Sequence, residues 1–337
     1  MNKIINGKTI RKPLRLIKRS AMAKHFTMVE AIDSMAHAFA CLSSDQCFVP
    51  KRYIAKMRDE SLTFLVKPAF IKDHDKSSIK ILTQKNSNFI PDIPTILGVV
   101  LLIDNVTGEI LSIMDGEFIT ALRTGAASGL ATKYFSKEDS RNLAIFGCGS
   151  QGRTQLSAVT AVRNIENIWV FDKSREQAES FIEEMNKGTS PQIQYTCDLA
   201  ILKDMDIICT ATNSTKPLFN KNHIKKGTHI NAIGSFQPKM QEIDPEIINS
   251  SRIFLDDKEA CINESGDLID AAQNTKKENI VGEIGDYVLN KIKGRISLDD
   301  ITLFKSVGTA IQDLVIADRI YDKSLNENFG EEIRLYE

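Results

Sequence analysis

Two hydrophobic patterns divide the chain. From Leu143 onward, short apolar runs alternate with helical spacings. Leu143–Phe146 precedes Leu156, Val159 and Val162, and Ile168–Phe171 precedes a helix over Arg175–Met185. Further runs follow at Ile193–Tyr195, Ile207–Thr210, His229–Ile233 and Ile253–Leu255. This alternation predicts a parallel sheet with helices packed on it. The first part of the chain reads differently. Thr27-Met28-Val29-Glu30 has capping-box spacing ahead of an amphipathic helix with Ile32, Met35, Ala36, Ala38, Phe39 and Leu42 on its apolar face. Strands are expected from Val49–Ile54, with Arg52 near its head, and at Thr63–Val66, Ile79–Thr83, Thr95–Ile103 and Ile110–Met114. The turn Asp104–Gly108 folds the last two into an antiparallel hairpin. Arg123–Gly129 opens a helix of small residues that runs to about Phe135, and polar Ser136–Ser140 marks a boundary. After Phe304–Gly308 a helix through Ala310–Ile320 is expected to cross back to the first domain. The fold class is therefore α/β. A parallel-sheet domain is expected over 137–299, and an α+β domain with an antiparallel sheet over 1–136 and 300–337.

The parallel half opens on a chemical signal. The run ending at Phe146 meets Gly147, Gly149 and Gly152, spaced G-x-G-x-x-G, at the head of a predicted helix. Such a turn points backbone N–H groups at one space, and the helix dipole makes that space attractive to phosphate. Alone the motif is weak. Here the next strand ends in Asp172, twenty residues after Gly152, where an acid grips an adenosine ribose. The unit reads as a Rossmann-type dinucleotide-binding domain. Ligands in such sheets bind beyond the carboxyl ends of the strands, which brings Thr212, Asn213 and the Gly234-Ser235-Phe236 turn beside the cofactor.

Composition narrows the class. With 337 residues, 42% hydrophobic and 26% charged, the chain has room for two domains and a sizeable core. A net charge of −1 argues against nucleic acid or an anionic membrane as partner, and no apolar run reaches the length of a membrane span. The six cysteines form no C-x-x-C pair and read as free thiols in a reducing, cytoplasmic compartment. The five histidines show no metal-ligand spacing, so no metal is expected, and His229 reads as structural. Eight basic residues precede the first acid, Glu30. A targeting segment is one reading of that bias; a short tail followed by an edge strand near Leu14–Ile17 is the favoured one.

Several stretches resemble the ornithine cyclodeaminase/mu-crystallin family: "MDGEFITALRTGAASG", "GCGSQG", "HINAIGSFQPKMQEID" and "FKSVGTAIQDL". The resemblance covers nearly the whole chain, from about Phe26 to Tyr321. It implies a nicotinamide cofactor, a dimer built through the non-Rossmann domain, and an active site between domains. Residue by residue, Arg52 matches an arginine that binds the substrate carboxylate, and Lys80 a lysine that is the favoured proton donor in the reductases. Arg123 matches an arginine placed between substrate and cofactor. Thr95, Ser150, Gln151, Asp172, Thr212 and Ile233 match positions that contact the dinucleotide, and Val307 one that closes on the nicotinamide. The chemistry suits those roles, since a planar guanidinium grips a carboxylate by two parallel hydrogen bonds. A lysine desolvated beside two arginines has a lowered pKa, as proton exchange near neutrality requires.

Two departures from the family pattern matter. Where the cyclodeaminases and alanine dehydrogenases carry an acid–base aspartate, this chain has Phe236, which moves no proton and would form an apolar wall against the substrate ring. The imine reductase branch is the better match. The second departure is Lys67, where methionine more often precedes Pro-Ala; it either adds a positive charge for a second carboxylate or points to solvent. The expected function is NAD(P)H-dependent reduction of a cyclic ketimine or imino acid by a homodimer. NAD(H) is favoured through Asp172, and NADP(H) is compatible with Lys173 and Arg175. The rival readings are a cyclodeaminase or amino-acid dehydrogenase, and a binding protein that holds dinucleotide and ligand without turnover.

Overall fold

The computed structural model describes residues 4–5, 8–9, 12–59, 61–85, 96–187, 191–272 and 279–335. After a short antiparallel pair at Ile4–Ile5 and Lys8–Thr9, the elements in chain order are β1 (Leu14–Ile17), α1 (Arg19–His25), α2 (Met28–Ser43), β2 (Cys47–Phe48), β3 (Tyr53–Lys56), β4 (Leu62–Ile71), β5 (Lys76–Lys85), β6 (Ile96–Asp104), β7 (Ile110–Asp115) and α3 (Gly116–Phe135). There follow β8 (Asn142–Phe146), α4 (Ser150–Val162), β9 (Asn167–Phe171), α5 (Arg175–Met185), β10 (Ile193–Tyr195), β11 (Ile207–Thr210), β12 (His229–Ala232), β13 (Ser251–Leu255), β14 (Ile280–Glu283) and β15 (Ile301–Lys305). After several short helices between these strands, the chain closes with α6 (Ala310–Asn326) and β16 (Glu331–Ile333).

Two compact units result: 1–123 with 309–337, and 124–308. The first is a mainly antiparallel sheet in the order β16-β1-β7-β6-β5-β4-β2, with β3 also on β4. The strand expected at 14–17 forms, but it is not the edge. It runs parallel to β7, and β16 pairs with its other side. Arg15 explains this, because it donates to the carbonyls of Ser324 and Phe329, both at 2.8 Å, and pairs with Glu332. The basic bias of this stretch is spent in the sheet: Lys12 pairs with Asp104 at 2.9 Å and Lys18 with Glu331 at 2.6 Å. Helix α2 starts as expected, with Thr27 and Glu30 forming a capping box and Ile32, Met35, Ala38 and Phe39 buried. The small-residue helix begins seven residues before Arg123 because Asp115 accepts the Phe118 N–H at 2.8 Å, an N-cap hidden inside what reads as a turn.

The second unit is an all-parallel sheet in the order β10-β9-β8-β11-β12-β15-β13-β14. Its strand order reverses at β8, the switch point where such sheets bind ligands. β15 lies between β12 and β13, whereas residues 300–308 were expected in the other domain. The polar segment 136–140 is not a linker either. Arg163 donates to the carbonyls of Thr132, Lys133, Ser136 and Lys137, closing the end of α3 within this unit. Phe135 also stacks on Phe254 of β13, with ring centroids 3.8 Å apart. Close approach explains the small residues of α3: a Cβ on Gly125 would lie 2.7 Å from Thr154 of α4.

Candidate active site

In the first unit the strands put three cations in one row. Lys67 of β4 and Lys80 of β5 are cross-strand partners, and β3 pairs with β4 through Tyr53 and Val66. Extending that register by one residue places Arg52 opposite Lys67. Residues opposite one another in an antiparallel pair share a face, so Arg52, Lys67 and Lys80 project from the same side of the sheet. Helix α6 packs on that side. Its Asp313 meets the Lys80 ammonium at 2.6 Å, with side-chain exposures of 1% for Lys80 and 2% for Asp313. Arg123 of α3 lies 3.6 Å from the other Asp313 oxygen and donates to Gln312 Oε1 at 3.2 Å. Thr120 Oγ1 accepts from Lys80 at 3.2 Å.

Burial dominates the electrostatics. It pushes Lys80 down to about 8; Asp313 opposes the shift, and Arg123 and Arg52 add to it. Lys67 is partly buried and is held well below the ordinary lysine range, first by burial and then by Lys80 and Arg52. Arg123 Nε, Gln312 Nε2 and Asp313 Oδ1 are buried without a hydrogen-bond partner in the protein. The two N–H groups among them are donors for which an anionic ligand would supply an acceptor. The cluster therefore joins two guanidiniums to an ammonium shifted down to about 8.

The second unit carries the dinucleotide cradle. Gly147 turns β8 into the loop at φ 96°, and a Cβ there would lie 2.5 Å from the Ala211 carbonyl oxygen. Gly152 sits 2.0 Å, measured from its would-be Cβ, from the Gly147 carbonyl oxygen. Gly149 has open space on its Cβ side and begins α4 with no side-chain cap bond, so the first-turn N–H groups suit a diphosphate. Ser150 is exposed and Gln151 partly buried in that turn. Asp172 follows β9 and accepts from Cys148 N at 2.8 Å and Ser174 N at 2.9 Å, so it also shapes the loop. The fit to a dinucleotide rests on this open glycine, the uncapped helix start and the acid beside them.

Two buried carboxylates hold the neighbouring loops. Glu242 accepts from Thr212 N at 2.6 Å, Thr212 Oγ1 at 2.7 Å, Thr210 Oγ1 at 2.8 Å, Gly234 N at 2.8 Å and Ser235 N at 3.2 Å. That fixes the segments around Thr212 and Ile233, and Gly234 is required because a Cβ there would lie 2.4 Å from Glu242 Oε1. Asp256 accepts from Ser306 Oγ at 2.7 Å, Val307 N at 3.1 Å and Gly308 N at 2.7 Å. Phe236 is 40% exposed, and the Gly234–Phe236 turn contains no acid or base.

Of the residues singled out in the sequence, Arg52, Lys80 and Arg123 gather in the first unit, with Lys67 among them and not directed only to solvent. The glycines, Ser150, Gln151, Asp172, Thr212, Ile233 and Val307 lie at the carboxyl ends of the parallel strands. Thr95 falls outside the described residues. Sequence reasoning missed Asp313 and Gln312, although an acid amid the apolar face formed by Ile311, Leu314 and Ala317 was a usable sign. Burial and Asp172 push the Cys148 thiol up to about 12, which makes it a poor nucleophile. Among the described residues no group of three or more His, Cys, Asp or Glu is arranged to hold a metal, and no helix is long and apolar enough to cross a membrane.

Comparison with known proteins agrees with this geometry. Residues 15–328 match the ornithine cyclodeaminase/mu-crystallin family. A Bacillus cereus Delta(1)-pyrroline-2-carboxylate reductase is 34% identical over 310 residues, covering 91% of this chain and 95% of the relative. The structure of the Thermococcus litoralis Delta(1)-pyrroline-2-carboxylate reductase in complex with NADH and L-proline superposes with a TM-score of 0.89 at 36% identity, covering 95% of this chain and all (100%) of that one. An archaeal alanine dehydrogenase dimer with bound NAD gives a TM-score of 0.86 at 27% identity, over 96% of this chain and 99% of its own. The family match and the chain-long likeness to these proteins show that the protein belongs to the ornithine cyclodeaminase/mu-crystallin family.

Proposed function

We propose that the protein is an NADH-dependent reductase of cyclic 2-imino acids, converting 1-pyrroline-2-carboxylate to proline. Arg52 and Arg123 hold the carboxylate by paired hydrogen bonds and so fix the imine end-on. Lys80 donates its proton to the ring nitrogen as the C=N electron pair moves onto it. Bound NADH supplies the hydride for the adjacent carbon, so that imine, hydride and proton balance to the amino acid and NAD+. Asp313 holds Lys80 in its charged form against the two arginines, and the lysine is reprotonated from solvent after each turnover. The observation that carries this reading is the fully buried Lys80, held against Asp313 beside Arg123 and shifted to about 8. An acid with that pKa is protonated at working pH and gives up its proton readily. The absence of an acid or base in the 234–236 turn favours reduction over deamination.

Asp172 selects NADH, because its carboxylate repels a ribose phosphate. Arg175, a candidate to accept that phosphate, is engaged with Glu179 at 2.8 Å. The buried thiols Cys41, Cys148, Cys209 and Cys261 suit a reducing cytoplasm. The first unit's sheet supports a homodimer. The side opposite the cations carries Tyr53, Phe64, Phe70 and Leu97, all exposed, and a monomer leaving them wet would be prone to associate. The direct test is oxidation of NADH with 1-pyrroline-2-carboxylate as acceptor. Turnover to proline supports the reading, and no oxidation across a panel of cyclic imines defeats it.

A further inference from the structure

Lys67 is the cation of the cluster that the reaction above does not use. Its position is costly, since like charges directly opposite in a sheet repel and an ammonium loses solvation when buried. Lys67 bears both burdens, facing Lys80 across the strand pair with Arg52 on its other side. The cluster's acid relieves it only in part, from beyond ion-pair distance. Asp313 is taken by Lys80 at 2.6 Å and by Arg123 at 3.6 Å, and among the described residues no carboxylate lies within ion-pair distance of Lys67. Nor does the carboxylate at the reacting carbon suffice. A carboxylate offers about four acceptor sites, and two guanidiniums donating in pairs fill them. A third cation in the same row calls for another anion.

We propose that Lys67 binds a second carboxylate, so that the enzyme's preferred substrates are imino dicarboxylates reduced by the hydride and proton transfer described above. The inference rests on that reading of Lys80, and it assigns Lys67 as the specificity-determining residue. Lys67 is partly exposed, unlike Lys80, and so can be reached by a group extending from the imine along the row of cations.

Two matched pairs test it: 1-pyrroline-2-carboxylate against 1-pyrroline-2,5-dicarboxylate, and the ammonia imines of pyruvate against those of 2-oxoglutarate. The wild-type protein should show kcat/KM at least about tenfold higher for the dicarboxylate in one pair or both. Lys67→Met should lower that ratio about thirtyfold or more, and Lys67→Arg should keep most of it, as expected for a charge-assisted contact. A monocarboxylate preference in both pairs, or an unchanged ratio in Lys67→Met, overturns the proposal. Equal losses on both substrates would show instead that Lys67 shares the first carboxylate. Calorimetry of the NAD+ complex with proline and with pyrrolidine-2,5-dicarboxylate decides the matter separately from turnover. If no imine is reduced, the parent reading fails while the diacid-to-monoacid affinity ratio, and its loss in Lys67→Met, still judges Lys67.

Discussion

Replacing Asp313 with asparagine isolates the group that keeps Lys80 charged. The side chain keeps its volume and one acceptor, but the negative charge 2.6 Å from the ammonium is gone. At an effective dielectric of about 20 the lost attraction is on the order of 6 kcal/mol before any relaxation. Water entry and the remaining amide contact absorb part of this, leaving a drop of at least about two pKa units. Lys80, at about 8 in the native site, would then titrate near 6 or below. At pH 7.5 the protonated fraction falls from about three quarters to about 3%, a loss of roughly 25-fold in rate if Lys80 is the acid. The assay is the initial rate of NADH oxidation with 1-pyrroline-2-carboxylate between pH 5 and 10, each point divided by the wild-type rate to cancel the substrate's own titration. The alkaline limb should move from about pH 8 to about pH 6, and most of the activity should return near pH 5.5. A uniform loss with an unmoved limb would refute the reasoning, because damage to packing alone does not titrate.

Lys80→Met should lower kcat by at least about 100-fold while NADH affinity, measured by fluorescence quenching, changes less than about threefold. His229, buried between Thr302 Oγ1 at 3.0 Å and Asn231 Oδ1 at 3.2 Å, is pushed down to about 3 by burial. Its unfolded pKa is about 6.5, so its contribution is complete above that value and is lost as pH falls toward 3; roughly 2 kcal/mol should go between pH 7 and 5. Urea unfolding at those two pH values should show a smaller difference in His229→Gln. Phe64→Glu combined with Leu97→Glu should abolish the proposed homodimer in sedimentation, because both side chains lie on the exposed apolar face of the first sheet.

The parallel half was legible because each of its strands is a short apolar run and its glycines obey a spacing that only close backbone approach explains. What the pattern concealed was charge in unexpected places. The run Phe304–Gly308 was read as part of the return to the first domain, whereas β15 lies inside the parallel sheet with its last residue, Lys305, buried against Asp267 at 3.0 Å. The start of α3 was hidden because Asp115-Gly116 resembles a turn, yet Asp115 caps a helix and Gly116 lies tight on β6, 2.9 Å from Gly98 through its would-be Cβ. In the candidate site the cations stood out and their counter-ion did not. The place of Asp313 amid apolar helix positions hints at burial, but its meeting with Lys80 is a long-range contact that no local period encodes. The same holds for Glu242 and Asp256, whose work is to accept backbone N–H groups from loops distant in sequence.

The proposed reaction delivers a hydride and a proton across one C=N bond. NADH carrying deuterium at the transferable C4 position, incubated with 1-pyrroline-2-carboxylate, tests it most directly. Proline with one deuterium on its α-carbon, formed in step with NAD+, is the expected product. Unlabelled proline, or label left entirely in the dinucleotide, would contradict it.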